Sequence, residues 1–149
     1  MLRKRTLGLA ALVAAFFTLI GAGTASASTV TGTSASTSWG YAEAKTQWRL
    51  NPYRLDPVWL YVKDKAPDGH GVAVRLVTDG DAGTVRFQLR RVSTGSGTAG
   101  QWYTYAVPGG WISRAYIELC QMEGTTVLQC VRSSMMYPAY DDSGNADPF

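Results

Sequence analysis

The side chains that most often perform acid–base or nucleophilic chemistry are few in this sequence. The single histidine, His70, lies within Asp68-Gly69-His70-Gly71, a run that is typical of a turn. A hydrolase of the Ser-His-Asp kind would need this histidine as its base. The run Gly95-Ser96-Gly97 has Thr94 and Thr98 where the nucleophile motif G-x-S-x-G requires glycine. The sequence therefore predicts no catalytic residue.

The carboxylates also lack a catalytic or metal-binding arrangement. Glycoside hydrolysis needs two carboxyl groups that face each other across a cleft, and the three glutamates and eight aspartates are scattered along the chain. Asp79 and Asp81 do not have the ligand spacing of a calcium loop. Alternation along a predicted strand puts Glu118 on the face of Tyr116 and Cys120, where we expect a solvated carboxylate. No enzyme activity, metal or cofactor is predicted.

The two cysteines, Cys120 and Cys130, have a simple expected role. Two thiols without nearby further ligands do not make a zinc site. In an oxidising compartment a lone pair of cysteines is most simply a disulfide. The intervening Glu123-Gly124-Thr125-Thr126 is typical of a turn, so we expect the disulfide to join the two arms of a hairpin.

Aromatic residues offer binding chemistry instead, since the chain has five tryptophans and eight tyrosines. Period-two alternation puts Trp59 and Tyr61 on one face of a predicted strand, and Tyr103 and Tyr105 on one face of another. Amphipathic rings on an outward sheet face are favoured at interfaces with protein or sugar. These four residues are the predicted partner-binding residues, with coverage by the domain's own loops and tail as the alternative.

The elements that must position these residues are strands. Apolar runs separated by Gly, Pro and Asp clusters predict strands, and no window after Ala27 supports an amphipathic helix. A chain of 149 residues is long enough for one domain. We predict an all-β fold, an antiparallel β-sandwich of about seven strands or a small barrel. The predicted strands are Tyr41–Arg49, Val58–Lys63, Val72–Thr78, Thr84–Arg91, Gln101–Val107, Arg114–Met122 and Thr126–Arg132.

The first residues have the order of a secretory signal peptide. Basic Arg3-Lys4-Arg5 precedes the apolar run 7–23, which is followed by the small-residue site Ala25-Ser26-Ala27. We predict a signal peptide over residues 1–27, a secreted extracellular protein, and no membrane span in the mature chain. Three of the fourteen basic residues lie in this leader, which leaves equal numbers of basic and acidic residues. Nucleic acid is therefore not a predicted partner.

The rest of the chain divides into three parts. Residues 28–38 are small and polar, and they predict a flexible N-terminal arm. The β-sandwich domain is predicted over residues 39–136, and an acidic C-terminal tail over residues 137–149. Extended Ser/Thr/Val segments can pair with a sheet edge of a partner. The arm residues Ser28, Thr29, Val30 and Thr31 are therefore predicted to bind a partner.

This organisation resembles that of small secreted proteins of filamentous actinobacteria. The Ala25-Ser26-Ala27 site, the arm 28–38 and the compact domain after it resemble the adaptor subunit of umbrella toxin particles. That resemblance implies a non-enzymatic role in assembling an extracellular particle by binding another secreted protein. Two alternatives stay open: a glycan- or cell-wall-binding module, and a secreted protease inhibitor that presents the loop 93–100 or 133–139.

Overall fold

The computed structural model describes residues 30–49, 53–93 and 95–138, which form a β-sandwich of two antiparallel sheets. The predicted fold class is confirmed. The predicted signal peptide, the arm residues Ser28 and Thr29, and residues 139–149 of the predicted tail lie outside the described residues. The strands in the described ranges are β1 Val30–Ser36, β2 Gly40–Arg49, β3 Arg54–Asp64, β4 Gly71–Gly80, β5 Gly83–Arg86, β6 Arg90–Val92, β7 Ala99–Ala106, β8 Ile112–Glu123 and β9 Thr126–Arg132.

The two sheets have different strand orders. In the front sheet the order is β1-β2-β3-β7, and in the back sheet it is β5-β4-β8-β9, with β6 also paired to β4. All of these pairs are antiparallel. Among the described residues, β7 is thus an edge strand of the front sheet, and β9 is an edge strand of the back sheet.

Alternating side chains from both sheets form one core. Ala42, Ala44, Thr46 and Trp48 of β2 are buried, as the alternation predicts. Each sheet supplies further apolar residues to the same cluster, since each has one face turned toward the other sheet. Examples are Val58, Leu60 and Val62 of β3, Val72, Val74 and Leu76 of β4, and Ile117 and Leu119 of β8.

The predicted flexible arm is wrong for the described part of its range. Val30–Ser36 forms β1, which pairs with β2 from Val30 opposite Gln47 to Ser36 opposite Tyr41. Ala35 is buried and belongs to the core cluster. Small residues give little hydrophobic signal, and this strand is specified by the β2 edge beside it and not by its own composition.

The predicted strand Thr84–Arg91 is two strands. Residues 87–89 separate β5 from β6, and both strands pair with β4. Continuous alternation would put Phe87 and Leu89 on the same face. The break instead turns Phe87 toward the core and Leu89 toward the outer face, where it packs near Ala73 and Cys120.

The two ends of the described fold lie side by side. Met136 forms an antiparallel bridge with Ala115 and is 3% exposed. The hydroxyl of Thr33 in β1 donates a 2.8 Å hydrogen bond to the carbonyl of Ser134. Pro138 lies beside Trp48, whose Nε1 donates to the Thr31 hydroxyl at 2.7 Å. Residues 133–138 are therefore packed along the edge next to β1.

Candidate interaction surface

Strands β3 and β7 bring the predicted aromatic residues to one outer face of the front sheet. Their register puts Trp59 opposite Tyr103, and Tyr105 follows on the same face by alternation. Tyr103 and Tyr105 are 75% and 67% exposed, so no part of the described structure covers them. With Tyr61 on the same face, the four predicted residues make a contiguous surface, which we call the aromatic face.

Local contacts hold the centre of the aromatic face in place. The rings of Trp59 and Tyr61 are stacked, with centroids 5.9 Å apart and planes 20° apart. Lys45 Nζ lies 5.2 Å from the centroid of the Trp59 ring, which is a cation–π contact. Trp59 Nε1 donates a 3.4 Å hydrogen bond to Gln101 Oε1. These rings are therefore ordered before any partner binds, which lowers the entropy cost of binding.

Tyr41 extends this surface and was not singled out by its sequence pattern. Its ring meets Tyr61 edge to face at 6.1 Å, and its hydroxyl donates to Glu43 Oε2 at 3.1 Å. Partial burial, together with this hydrogen bond, raises the pKa of the Tyr41 hydroxyl above its ordinary value. Beside Tyr41 lies a polar notch of about 360 Å³, lined also by Ser34, Glu43 and Ser134. The β1–β2 pairing that forms this notch was absent from the predicted strands.

The arm residues within the described range are not a free segment. Val30 is exposed at the start of β1, and Thr31 is partly buried, where its hydroxyl accepts the bond from Trp48. Both residues pair with β2, Val30 opposite Gln47 and Thr31 opposite Thr46. They are therefore part of the domain, and a partner would meet them as one edge of the front sheet.

The outer face of the back sheet carries a paired carboxylate. Arg75 Nη2 and Nε lie 2.5 and 2.6 Å from Glu118 Oε2, and Arg86 Nε lies 3.4 Å from Oε1. The Glu118 side chain is only 12% exposed. The expected solvated carboxylate is therefore wrong, because two arginines on adjacent strands enclose it.

The predicted disulfide between Cys120 and Cys130 is confirmed. The two residues are directly opposite each other in β8 and β9, so the bond joins the arms of a hairpin. Glu118, Cys120 and Cys130 come close enough together to resemble a metal site. Both sulfurs are used in the disulfide and the carboxylate is held by arginines, so this cluster does not fit a metal.

His70 lies between β3 and β4. Its backbone N–H donates to Asp68 Oδ1 at 3.0 Å, as expected of a turn. Asp79 accepts hydrogen bonds from Thr84 and Arg114, and Asp81 accepts one from the Trp111 backbone. These aspartates are thus engaged in fixing the ends of strands.

The two loops considered for protease inhibition differ in how they are held. In the first, the Gly97 N–H donates to the Asp64 carbonyl and the Thr98 N–H to the Gly95 carbonyl. In the second, Ser133 and Met136 are buried and hydrogen-bonded to β8. In the described part of the first loop, residues 93, 95–97 and 99 are exposed, whereas in the described part of the second loop the exposed residues are Ser134 and Tyr137.

Searches of protein-family models, curated proteins and solved structures found no match to this chain. Within the described ranges there is no helix of the length and apolar character that a membrane crossing requires.

Proposed function

We propose that this chain is a secreted, non-enzymatic protein that binds another secreted protein through the aromatic face. The observation that carries the proposal is the contiguous set of rings on β3 and β7, with Tyr103 75% exposed. Large exposed aromatic groups are frequent anchors of protein interfaces. The disulfide between Cys120 and Cys130 supports an oxidising location.

The same arrangement supports an adaptor role. The outer faces of the two sheets differ in chemistry, since the front sheet presents aromatic rings and the back sheet presents arginines around Glu118. A small body with two dissimilar faces can contact two different proteins at once. We therefore propose an assembly subunit of an extracellular, toxin-like particle as the biological setting.

The test is partner capture from culture medium, followed by titration of the identified partner with purified variants. Tyr103→Ser removes the most exposed ring of the aromatic face, and we expect it to weaken binding about tenfold or more. Tyr137→Ser is the matched control, because that tyrosine is 60% exposed and lies after β9, outside the aromatic face. Equal affinity of both variants and the unmodified chain would contradict the proposal.

A glycan-binding role is the second candidate, and the polar notch beside Tyr41 favours it. Carbohydrate recognition combines stacking rings with nearby carboxylate and hydroxyl groups, and Glu43 and Ser34 line that notch. Retention of the chain on cell-wall polysaccharide, lost in Glu43→Gln but kept in Tyr103→Ser, would favour this function over protein binding.

Export is tested by the mass of protein recovered from the medium. We expect a chain that begins at Ser28 and is two mass units lighter than its fully reduced form. Recovery of protein that retains the apolar run 7–23, or of native protein with two alkylatable thiols, would contradict export with an intact disulfide.

A further inference from the structure

A groove opens at the side of the sandwich, where the free edge of β7 faces the break between β5 and β6. Its volume is about 440 Å³. Leu60 of the front sheet and Leu76 of the back sheet line it, although they are only 2% and 1% exposed. The groove therefore reaches the core between the two sheets. Phe87 and Thr104 also line it, on opposite sides of the opening.

The β7 edge beside this groove has no second strand partner among the described residues. Strand β7 pairs with β3 alone, and no other backbone hydrogen bond of residues 100–106 occurs among the described residues. Every second residue of an antiparallel strand directs its N–H and C=O away from its partner. Proteins usually protect such an edge with a charge, a proline or a bulge. The β7 sequence AGQWYTYA contains no charged residue and no proline.

Arg90 supplies charge at the groove. It is opposite Val74 in the β4–β6 register, and Val74 is buried in the core, so the Arg90 side chain is on the inner side of the sheet and lines the groove. It has no ion pair among the residues that the structure describes. The neighbouring Arg91 is opposite Ala73, on the outer side, and its guanidinium donates to the Gly124 carbonyl.

We propose that this groove accepts an extended segment of a partner polypeptide, which adds to β7 as a further strand of the front sheet. Alternate apolar side chains of that segment cover Leu60 and Leu76, and one carboxylate pairs with Arg90. Main-chain hydrogen bonds to a sheet edge supply affinity, and alternate side-chain positions supply specificity. The proposal rests on the protein-binding function above and specifies the form of the partner.

The experiment selects random decapeptides displayed on phage against the full chain. We expect the recovered peptides to alternate apolar with polar residues and to share an acidic residue. A fluorescent peptide from this set, titrated by polarisation, should bind at least about tenfold more weakly to Arg90→Glu, because a charge-assisted pair becomes a repulsion. Arg91→Glu is the matched control and should bind as the unmodified chain does. N-methylation at the centre of the peptide should abolish binding.

Several results would overturn this proposal. One is that no peptide of this kind is selected. Another is that the peptide binds the Arg90→Glu variant as tightly as the unmodified chain, and a third is that N-methylation of the peptide does not change its binding. Binding that appears only after residues 139–149 are deleted would assign the groove to the chain's own acidic segment. A dimer that the peptide dissociates would assign it to a second copy. If Tyr103→Ser weakens capture of the secreted partner while Arg90→Glu does not, the groove proposal fails and the proposed function stands.

Discussion

At the scale of single residues, the Glu118 carboxylate on the back sheet is held by two arginines. Its Oε2 lies 2.5 Å from Arg75 Nη2 and its Oε1 lies 3.4 Å from Arg86 Nε, and the Glu118 side chain is only 12% exposed. Glu118→Gln should lower the free energy of unfolding by about 1–2 kcal/mol, since it leaves a partly buried guanidinium without a counter-charge. Urea unfolding at neutral pH measures this change.

Glu43→Gln is the control for that substitution. Glu43 also forms an ion pair, with Lys45 at 3.1 Å, but both side chains are more exposed. Its loss should cost less than about 0.5 kcal/mol. If the two substitutions have equal effects, burial is not what strengthens the Glu118 contacts.

The Asp79 carboxyl is expected to make the stability of the fold depend on pH. Hydrogen bonds from Thr84 and then from Arg114 hold the pKa of the Asp79 carboxyl below its ordinary value of 3.8. A carboxyl whose pKa is lowered by folding stabilises the protein above that ordinary value, and this contribution is lost as the pH falls through the lowered pKa. Unfolding curves of the unmodified chain and Asp79→Asn should therefore differ at pH 6 and converge in strong acid. A constant difference across the pH range would contradict this.

At the scale of elements, β1 belongs to the structural body and not to a free arm. Its Ala35 is 8% exposed and faces the core, whereas Ser36 is exposed and lies near Lys65 Nζ. Ala35→Asp should cost about 3 kcal/mol or more, because it buries an unpaired charge. Ser36→Asp should be nearly neutral. Thermal unfolding measures both, and equal tolerance of the two variants would mean that this segment is not packed.

The hairpin β8–β9 is held by its disulfide, because β9 has little burial of its own. Most β9 residues are exposed, and among the described strands only β8 pairs with it. Closing a loop with a sequence separation of 10 should contribute roughly 2–3 kcal/mol. The double variant Cys120→Ala/Cys130→Ala should lose about that much in denaturant unfolding. Unchanged stability would show that the β8–β9 ladder suffices without the covalent bond.

The sequence predicted strands correctly where apolar alternation was strong. It failed where the structure of a segment depends on the neighbouring strand with which it pairs. Alternation in the predicted strands Tyr41–Arg49 and Val58–Lys63 identified β2 and β3, and for β3 it also identified the outward face with Trp59 and Tyr61. Strand β1 has small residues without a hydrophobic period, so its pairing depends on the β2 edge. The break at residues 87–89 was also missed, since local alternation continues through it while the β4 partner imposes a change of face.

At the scale of the whole molecule, one core joins the two sheets. Residues from β1, β2, β3, β4, β6, β7 and β8 belong to a single buried cluster. We therefore expect one cooperative transition, with tryptophan fluorescence and far-ultraviolet circular dichroism giving the same midpoint. Separate midpoints would contradict this expectation.

The aromatic face was predictable only in part, because its assembly depends on how the strands of the front sheet pair. Alternation identified Trp59, Tyr61, Tyr103 and Tyr105 as outward rings within their own strands. That Trp59 lies beside Tyr103 depends on the pairing of β3 with β7, which are not consecutive in the chain. The groove beside β7 and the position of Arg90 depend on that long-range pairing as well, and periodicity within a strand contains no information about it.

The contact between Thr33 and Ser134 brings the first and last parts of the described fold together, although they are 101 residues apart in sequence. Domains with adjacent ends tolerate circular permutation and insertion into another chain. A short linker could close this sandwich on itself, with new ends opened at Gly124 in the β8–β9 turn, where the Cys120–Cys130 bond would keep both arms attached. The same geometry allows the whole body to replace a surface loop of a larger protein without reordering its strands.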